Sequence, residues 1–309
     1  MNNVLPKIEL YQKRDFGEKV TATFQFVREN WKPLLKYLTI LMLPISIVQS
    51  LCMNMYLDEG VINVMDETDT GAFMAAGMGY YAVTVVCSVV GGVLYYALFY
   101  ALFAAYGRRD ERLHGITWTD LSADFYRNVR RGFILVGFTV LVVMAYMVVT
   151  AMLAFVTPFT LILTLPLLLI CAVPLALFYP AYMLGDGSRG VGATFAWSMK
   201  QGFHFWGGTF LVTLVCYLLT SIVGGVCSVP WYIVYIFRLL SGMPETDFVS
   251  LHGNTFLSVL QFLFGIIMLY GTYLASVVVM LGVTYQYGHI REKTDAVTVT
   301  DDIEHFDTL

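Results

Sequence analysis

Few residues of this sequence have the types and spacing that a catalytic or metal site requires. The five cysteines lie within apolar runs and form no CxxC pair, which favours buried thiols. The signatures GxSxG, HExxH and the P-loop do not occur. The five histidines are isolated and lack the spacing of zinc ligands; they are His114, His204, His252, His289 and His305. The sequence therefore predicts no catalytic residue, no metal site and no cofactor.

Three arginines fall on one face of a predicted helix and are candidate contacts for anionic lipid headgroups. They are Arg127, Arg130 and Arg131. A basic side chain at an anionic membrane surface contributes about 1 kcal/mol. Asp120 and Asp124 share that polar face and would offset much of the attraction. The alternative is a solvated helix face whose positive charge only sets the membrane topology.

Three prolines recur at intervals of eight residues within an apolar stretch: Pro158, Pro166 and Pro174. Proline lacks the backbone N–H and leaves a carbonyl free, so a kinked helix can line a conduit whose carbonyls coordinate a ligand. The alternative is a bent helix whose freed groups are satisfied by neighbouring helices. Thr164 is the one polar side chain near these prolines, which favours the bent helix.

Amides and small residues inside the apolar runs indicate helix packing. Gln49, Asn54 and Gln261 are expected to make hydrogen bonds between helices, with a polar ligand site as the alternative. Gly91-Gly92 and Gly271-xxx-Ala275 permit close approach of helices. We expect this approach within one chain, with a homo-oligomer interface as the alternative.

The elements that must position these residues are membrane-spanning helices. The chain is 58% hydrophobic and 13% charged, with a mean hydropathy of +0.70, which indicates an all-α polytopic membrane protein. About 20 apolar residues cross a bilayer core. A turn at 157–160 divides the long uncharged run into two spans. The six predicted spans are about 34–57, 75–106, 133–156, 159–184, 208–237 and 255–287.

Basic residues predict the orientation of these spans. Of the 18 Lys and Arg residues, only Arg238 falls on the side opposite the others. The connection between spans 1 and 2 is acidic, and no cleavable signal peptide is visible. The positive-inside rule therefore places both termini in the cytoplasm of a multi-pass protein of the bacterial inner membrane.

An amphipathic segment precedes spans 1, 3 and 5. Residues 16–31 place apolar side chains every three or four positions, which predicts one apolar helix face. Pro33 is predicted to end this helix, and Gly132 and Gly207-Gly208 to end the other two. Thr117 with Asp120 resembles a capping box at the start of the second helix. Tryptophans are predicted to anchor the three helices at the lipid headgroups; they are Trp31, Trp118, Trp197 and Trp206.

The whole pattern predicts three repeats of an interfacial amphipathic helix followed by a transmembrane hairpin. Val20-Thr-Ala-Thr-Phe24 and Val191-Gly-Ala-Thr-Phe195 are nearly identical and take equivalent places in the first and third repeats. The chain, 1–309, is then a single membrane domain with repeats at about 8–112, 113–186 and 187–290. Residues 291–309 are acidic, lack an apolar stripe and are predicted to be disordered.

The run FGEKVTATFQFVRENWKP, residues 16–33, resembles a family of uncharacterised six-span bacterial membrane proteins. Some members carry a carotene-monooxygenase label. The family is distantly similar to the membrane domain fused to certain glycerophosphodiester phosphodiesterases. The resemblance implies a six-span helical fold over most of the chain. The histidine-rich iron site of an oxygenase and a phosphodiesterase domain do not occur here, so the resemblance implies no functional residue.

Two functions are compatible with these features. The first is a non-enzymatic inner-membrane scaffold that interacts with membrane lipids, protein partners or further copies of itself. The second is a transporter or conduit for a small or lipidic substrate through the proline-bent fourth span. An intramembrane enzyme is disfavoured because the predicted spans contain no polar catalytic groups, and no nucleic-acid partner is expected.

Overall fold

The computed structural model describes residues 7–62, 70–157, 159–185, 187, 189–241 and 255–297. All regular secondary structure in these ranges is helical. The helices are α1 (Phe16–Ile62), α2 (Thr70–Arg108), α3 (Trp118–Val156), α4 (Thr160–Ala176), α5 (Phe178–Met183), α6 (Val191–His204), α7 (Trp206–Ser241) and α8 (Thr255–Asp295).

Six segments of these helices are long and apolar enough to cross a membrane, which confirms the predicted all-α polytopic fold. The 17 residues of α4 and the six of α5 follow each other closely and together supply the fourth segment. The six candidate spans are Phe16–Leu57, Met78–Arg108, Trp118–Phe155, Pro166–Met183, Trp206–Leu240 and Thr255–Asp295. The three-fold repeat stays a prediction.

The predicted break between the amphipathic helix and the first span is confirmed, but it is a kink within α1 at Asn30, three residues before Pro33. Asn30 has non-helical angles, φ −118° and ψ 17°. Pro33 therefore lies in the first turn after the kink, where a residue has no intrahelical acceptor for its N–H and proline is tolerated. Asn30 is buried, and its Nδ2 donates to the carbonyl of Phe26 in the preceding turn at 3.0 Å.

The other predicted boundaries have mixed outcomes. Gly132 does not end a helix, because α3 is continuous from Trp118 to Val156. Its beginning is stabilised as expected, since the Asp120 carboxylate accepts from the N–H of Thr117 at 3.0 Å. The third amphipathic helix does end, but at His204; the predicted end at Gly207-Gly208 is wrong, because these glycines lie in the first turn of α7. The turn at 157–160 is confirmed, and Pro158 lies outside the described residues.

Residues 291–295, which were predicted to belong to a disordered tail, are helical. Helix α8 continues to Asp295, and Arg291 Nε lies 3.1 Å from Asp295 Oδ2, an i,i+4 ion pair that supports the last turn. Residues 298–309 lie outside the described residues.

The chain divides into two compact units. Unit 1 comprises the described residues within 1–34, 96–218 and 277–309, and unit 2 those within 35–95 and 219–276. Aromatic rings form much of the core of unit 1. Phe103 packs against Phe26 and Tyr285, with ring centroids 5.6 and 5.9 Å apart.

In unit 2, buried amides join helices through hydrogen bonds. Gln49 on α1 donates to Ser88 Oγ on α2 at 3.1 Å and accepts from the Tyr273 hydroxyl on α8 at 3.2 Å. Gln261 on α8 accepts from the Arg238 guanidinium on α7. The expected hydrogen bonds between helices are therefore confirmed for these two amides.

Close approach at glycine is also observed in unit 2. A Cβ atom placed on Gly91 would lie 3.0 Å from Ile45 Cγ2, and one on Gly271 would lie 2.6 Å from Cys227 Sγ. Both glycines therefore permit packing within the chain, as expected.

Candidate functional site

A glycine-rich turn joins α5 to α6 in unit 1. Its described residues include Gly185, Gly187 and Gly190, and Gly187 has a φ of +86°, in the left-handed region that favours glycine. A Cβ atom on Gly187 would also lie 2.8 Å from Nη2 of Arg131. A side chain at this position would therefore be strained and would collide with the arginine.

Arg131 on α3 contacts the last carbonyls of α5 and the turn. Its Nη1 donates to the carbonyls of Tyr182, Met183 and Gly185 at 3.4, 3.2 and 2.9 Å. The last carbonyls of a helix lack intrahelical partners and carry the negative end of the helix dipole, so a guanidinium there stabilises the helix end. Arg131, predicted to contact lipid, is thus already bound to the protein through Nη1.

A cavity of about 560 Å³ opens beside this arginine. Three guanidinium-bearing residues line it, each from a different element: Arg131 of α3, Arg189 of the turn before α6 and Arg291 of α8. No carboxylate occurs among its described lining residues, and Asp295 is the acidic partner of Arg291. The other lining side chains include four aromatic rings, those of Tyr11, Tyr182, Trp197 and Tyr287.

Two of the arginines lie over aromatic rings of the same cavity. The Arg189 Cζ atom is 5.9 Å from the centroid of the Trp197 ring, and the Arg131 Cζ atom is 6.0 Å from that of Tyr182. Attraction between a cation and the ring face positions a guanidinium without using its N–H donors. Arg189 is exposed, so its donors remain accessible from the cavity.

Helix α6 begins at the wall of the cavity. Gly190 is its N-cap residue and supplies no side chain to cap the first turn. The carbonyl of Gly190 accepts from both the N–H and the Oγ1 of Thr194, at 3.0 and 3.1 Å. The first N–H groups of a helix have no intrahelical acceptor and form the positive end of its dipole, which favours an anion nearby.

The segment before α1 brings Tyr11 to the cavity. The N–H of Ile8 donates to the Tyr106 hydroxyl at 3.1 Å, and the N–H of Arg14 donates to Nδ1 of His289 at 3.0 Å. Tyr11 lies between these two anchored residues. Burial lowers the pKa of Arg14 because its guanidinium loses solvation.

The structure does not gather the three predicted lipid-contact arginines into one site. Arg127 forms an ion pair with the buried carboxylate of Asp124 at 2.8 Å, and Arg108 pairs with the same carboxylate. Arg130 is exposed, and only Arg131 lines the cavity. Their role toward lipid stays a prediction.

Arg189 and Arg291 were not predicted as residues of a site. In the sequence each occurs as one of only two basic residues in its loop or tail. An arginine next to a glycine-rich turn at the end of a span was the one available signal.

The predicted tryptophan anchors have different surroundings. Trp31 and Trp118 are 53% and 43% exposed, which is compatible with contact to lipid headgroups. Trp197 is partly buried against the ring of Tyr287, with centroids 5.8 Å apart. The indole N–H of Trp206 donates to the carbonyl of Ile170 at 3.1 Å. Anchoring by these residues stays a prediction.

The contact of Trp206 explains how Pro174 is accommodated in α4. A residue at position 174 would ordinarily donate to the carbonyl of Ile170, and proline cannot. The Trp206 indole takes that place. Gly202 of α6 packs directly on the proline, since a Cβ atom there would lie 2.5 Å from Pro174 Cα. Pro174 is thus at a tight contact between helices, and the carbonyl that it frees is bound within the protein.

Pro166 lies two residues after another bound carbonyl, although the carbonyl that this proline frees is that of Ile162. The Tyr146 hydroxyl of α3 donates to the carbonyl of Thr164 at 2.6 Å. This bond joins α3 to α4 within unit 1. A bent helix satisfied by its neighbours therefore accounts for these contacts along α4.

Comparisons with protein-family models, curated proteins and solved structures found no match. The resemblance of residues 16–33 to the six-span bacterial family therefore stays a prediction. Within the described part of the chain, no group of three or more His, Cys, Asp or Glu residues is placed to hold a metal ion.

Proposed function

We propose that the protein is a non-enzymatic scaffold of the bacterial inner membrane that interacts with anionic lipids through the basic helix ends of unit 1. The observation that carries the proposal is the cavity with three arginines and no lining carboxylate among the described residues. Sixteen of the 18 Lys and Arg residues belong to the ranges of unit 1, the others being Lys36 and Arg238. Both termini are proposed to be cytoplasmic on this charge distribution.

The three arginines of the cavity bring together more positive charge than their described ion pairs offset. Asp295, which is not a lining residue, is the one acidic partner recorded for them, and it pairs with Arg291. Elsewhere in unit 1, the arginines that pair with carboxylates include Arg112, 2.7 Å from Glu29, and Arg109, 2.9 Å from Asp120. Among the described residues, this excess of positive charge in the cavity favours an anionic occupant, which a bilayer with anionic lipids supplies. Asp186, between α5 and α6, lies outside the described residues.

A conduit through the fourth span is less well supported. It would use carbonyls freed by prolines, and the Ile170 carbonyl is bound by Trp206. Coupling to an ion gradient also relies on ionisable side chains near the middle of the bilayer. The Lys, Arg, Asp and Glu residues instead fall in loops, tails, amphipathic segments or the ends of the predicted spans.

Lipid analysis after detergent-free purification tests the proposal. The protein would be extracted with its surrounding bilayer into polymer-bounded discs, and the phospholipids in the discs compared with those of the source membrane. We expect enrichment of anionic over zwitterionic lipids. Discs that contain an unrelated six-span protein provide the control, and the same composition in both preparations would contradict the proposal.

A further inference from the structure

We propose that the arginine-lined cavity of unit 1 is a binding site for a phosphate-bearing ligand. Guanidinium groups offer a planar fork of N–H donors that matches the oxygens of a phosphate group. Here Arg131, Arg189 and Arg291 converge from α3, a turn and α8, although the second and third lie 58 and 160 residues beyond the first. Convergence from three elements distinguishes this cavity from a run of basic residues on one solvated helix face.

The donor groups of the site are only partly used by the protein. The described contacts of Arg189 are with the Trp197 ring, which leaves its N–H groups for a ligand. Arg291 Nε lies within ion-pair distance of Asp295, yet it is a buried nitrogen without a hydrogen bond of good geometry. Arg131 Nη1 donates to three carbonyls, and its Nη2 lies beside Gly187 at the wall of the cavity.

The backbone around the cavity also suits an anion. The turn before α6 contains glycine where a side chain would block approach, as at Gly187. The uncapped first turn of α6 begins at the same wall. The helix end alone would not define a site, and here it reinforces the arginines.

The volume and position of the cavity restrict the ligand. Sites for small molecules have volumes of about 300–1,000 Å³. A cavity of about 560 Å³ therefore accommodates a phosphate together with an esterified group. The candidate span Pro166–Met183 ends immediately before the turn that lines the cavity. This position favours the phosphate of a membrane lipid, and a soluble phosphate ester is the other source of the same chemistry.

Binding of a lipid phosphate rests on the proposed function, whereas binding of a soluble phosphate ester does not. Two measurements distinguish these ligands. In the first, the full chain would be purified in zwitterionic detergent and titrated with glycerol 3-phosphate by calorimetry. In a second arm, binding of the detergent-purified chain to a headgroup-labelled phosphatidic acid in mixed micelles would be measured, with phosphatidylcholine as the neutral competitor.

Three variants locate the binding. Arg189→Gln and Arg291→Gln each remove one guanidinium from the cavity. Arg130→Gln removes the same charge from an exposed position on α3 outside it. A hydrogen bond to a charged group is worth at least about a tenfold change in affinity. We therefore expect each cavity variant to raise the dissociation constant about tenfold or more, and Arg130→Gln to change it less than about twofold.

A thermal-unfolding control separates binding from folding. Because Arg189 is exposed, Arg189→Gln should unfold at the same temperature as the parent chain without ligand. Loss of binding in this variant with unchanged unfolding supports the site. Equal weakening by Arg189→Gln and Arg130→Gln would show a diffuse attraction and overturn it.

The two arms also separate the site from the proposed function. Binding of glycerol 3-phosphate without binding of phosphatidic acid, each lost in Arg189→Gln, would support the site and contradict the lipid function. Binding of phosphatidic acid that is unaffected by both cavity variants would support the lipid function and overturn the site. Absence of binding in both arms would overturn the site as well.

Discussion

Replacement of Gly202 by alanine provides a direct test of the packing between α4 and α6. A Cβ atom at this position would lie 2.5 Å from Pro174 Cα, 2.6 Å from its Cβ and 3.3 Å from its Cγ. Carbon atoms in favourable contact are about 3.5–4.0 Å apart. The two helices would therefore have to separate by about 1 Å, because the nearest atoms belong to a proline ring and backbone that cannot rotate away.

The expected change in stability combines two losses and one gain. Inserting a methyl group into a packed interface costs about 1–3 kcal/mol. Separation of the helices would also strain the bond from Trp206 to the Ile170 carbonyl, and a hydrogen bond contributes about 0.5–1.5 kcal/mol. Alanine gains about 1 kcal/mol over glycine in helix propensity, which opposes these losses. The net expectation for Gly202→Ala is a destabilisation of about 1–3 kcal/mol.

Gly192→Ala is the matched control, because it makes the same chemical change in the same helix. Gly192 is exposed, and a Cβ atom there would have no neighbour within 4 Å. Thermal unfolding in detergent should give a midpoint that is a few degrees lower for Gly202→Ala than for the parent chain. In domains somewhat smaller than this chain, a loss of 1 kcal/mol lowers the midpoint by about 2–4 °C. An unchanged or higher midpoint for Gly202→Ala, like that expected for Gly192→Ala, would refute the close contact with Pro174.

Three further predictions concern the spans. Trp206→Phe keeps the aromatic ring but leaves the Ile170 carbonyl without its donor, and should lower the unfolding free energy by about 1 kcal/mol in the same detergent assay; an unchanged value would contradict the role of this bond. In a chain without native cysteines, an impermeant thiol reagent added to cells should label Thr68→Cys and spare the exposed position Arg130→Cys; the reverse pattern would invert the topology. Protein in liposomes should show no substrate uptake driven by a proton or sodium gradient, and uptake that an ionophore abolishes would favour a transporter.

The spans could be predicted because they depend on an average over many residues. Hydropathy over about 20 positions is insensitive to any single side chain. Local signals with their own hydrogen bonds were also informative, as Thr117 and Asp120 show at the start of α3. The break in α1 was predicted at Pro33, three residues after the observed kink at Asn30. Proline is tolerated in the first turn of the helix that follows a break, so its position marks the break only approximately. The non-helical angles belong to Asn30, whose side chain donates to a carbonyl of the preceding turn.

Side-chain partners were harder to predict than helices. Gln49 and Asn54 are both amides within one span, and hydrogen bonds between helices were expected for both. Gln49 does bond to other helices, whereas Asn54 Nδ2 donates to the carbonyl of Ser50 in its own helix at 2.7 Å. The sequence gives an amide the capacity for either bond. The distance to the neighbouring helix decides between them, and that distance is a tertiary property.

The cavity could not be predicted because the distances between its arginines are also a tertiary property. Two of these arginines, Arg131 and Arg189, differ in their contacts with the protein. Arg131 satisfies carbonyls at the end of α5, so its substitution would disturb the turn that shapes the cavity whether or not a ligand binds. Arg189 is exposed, and its recorded contact within the protein is a ring face. Selectivity for an anion can therefore be examined at Arg189 with the least effect on folding. In the sequence both residues contribute equally to the positive-inside pattern, and only their partners in unit 1 distinguish them.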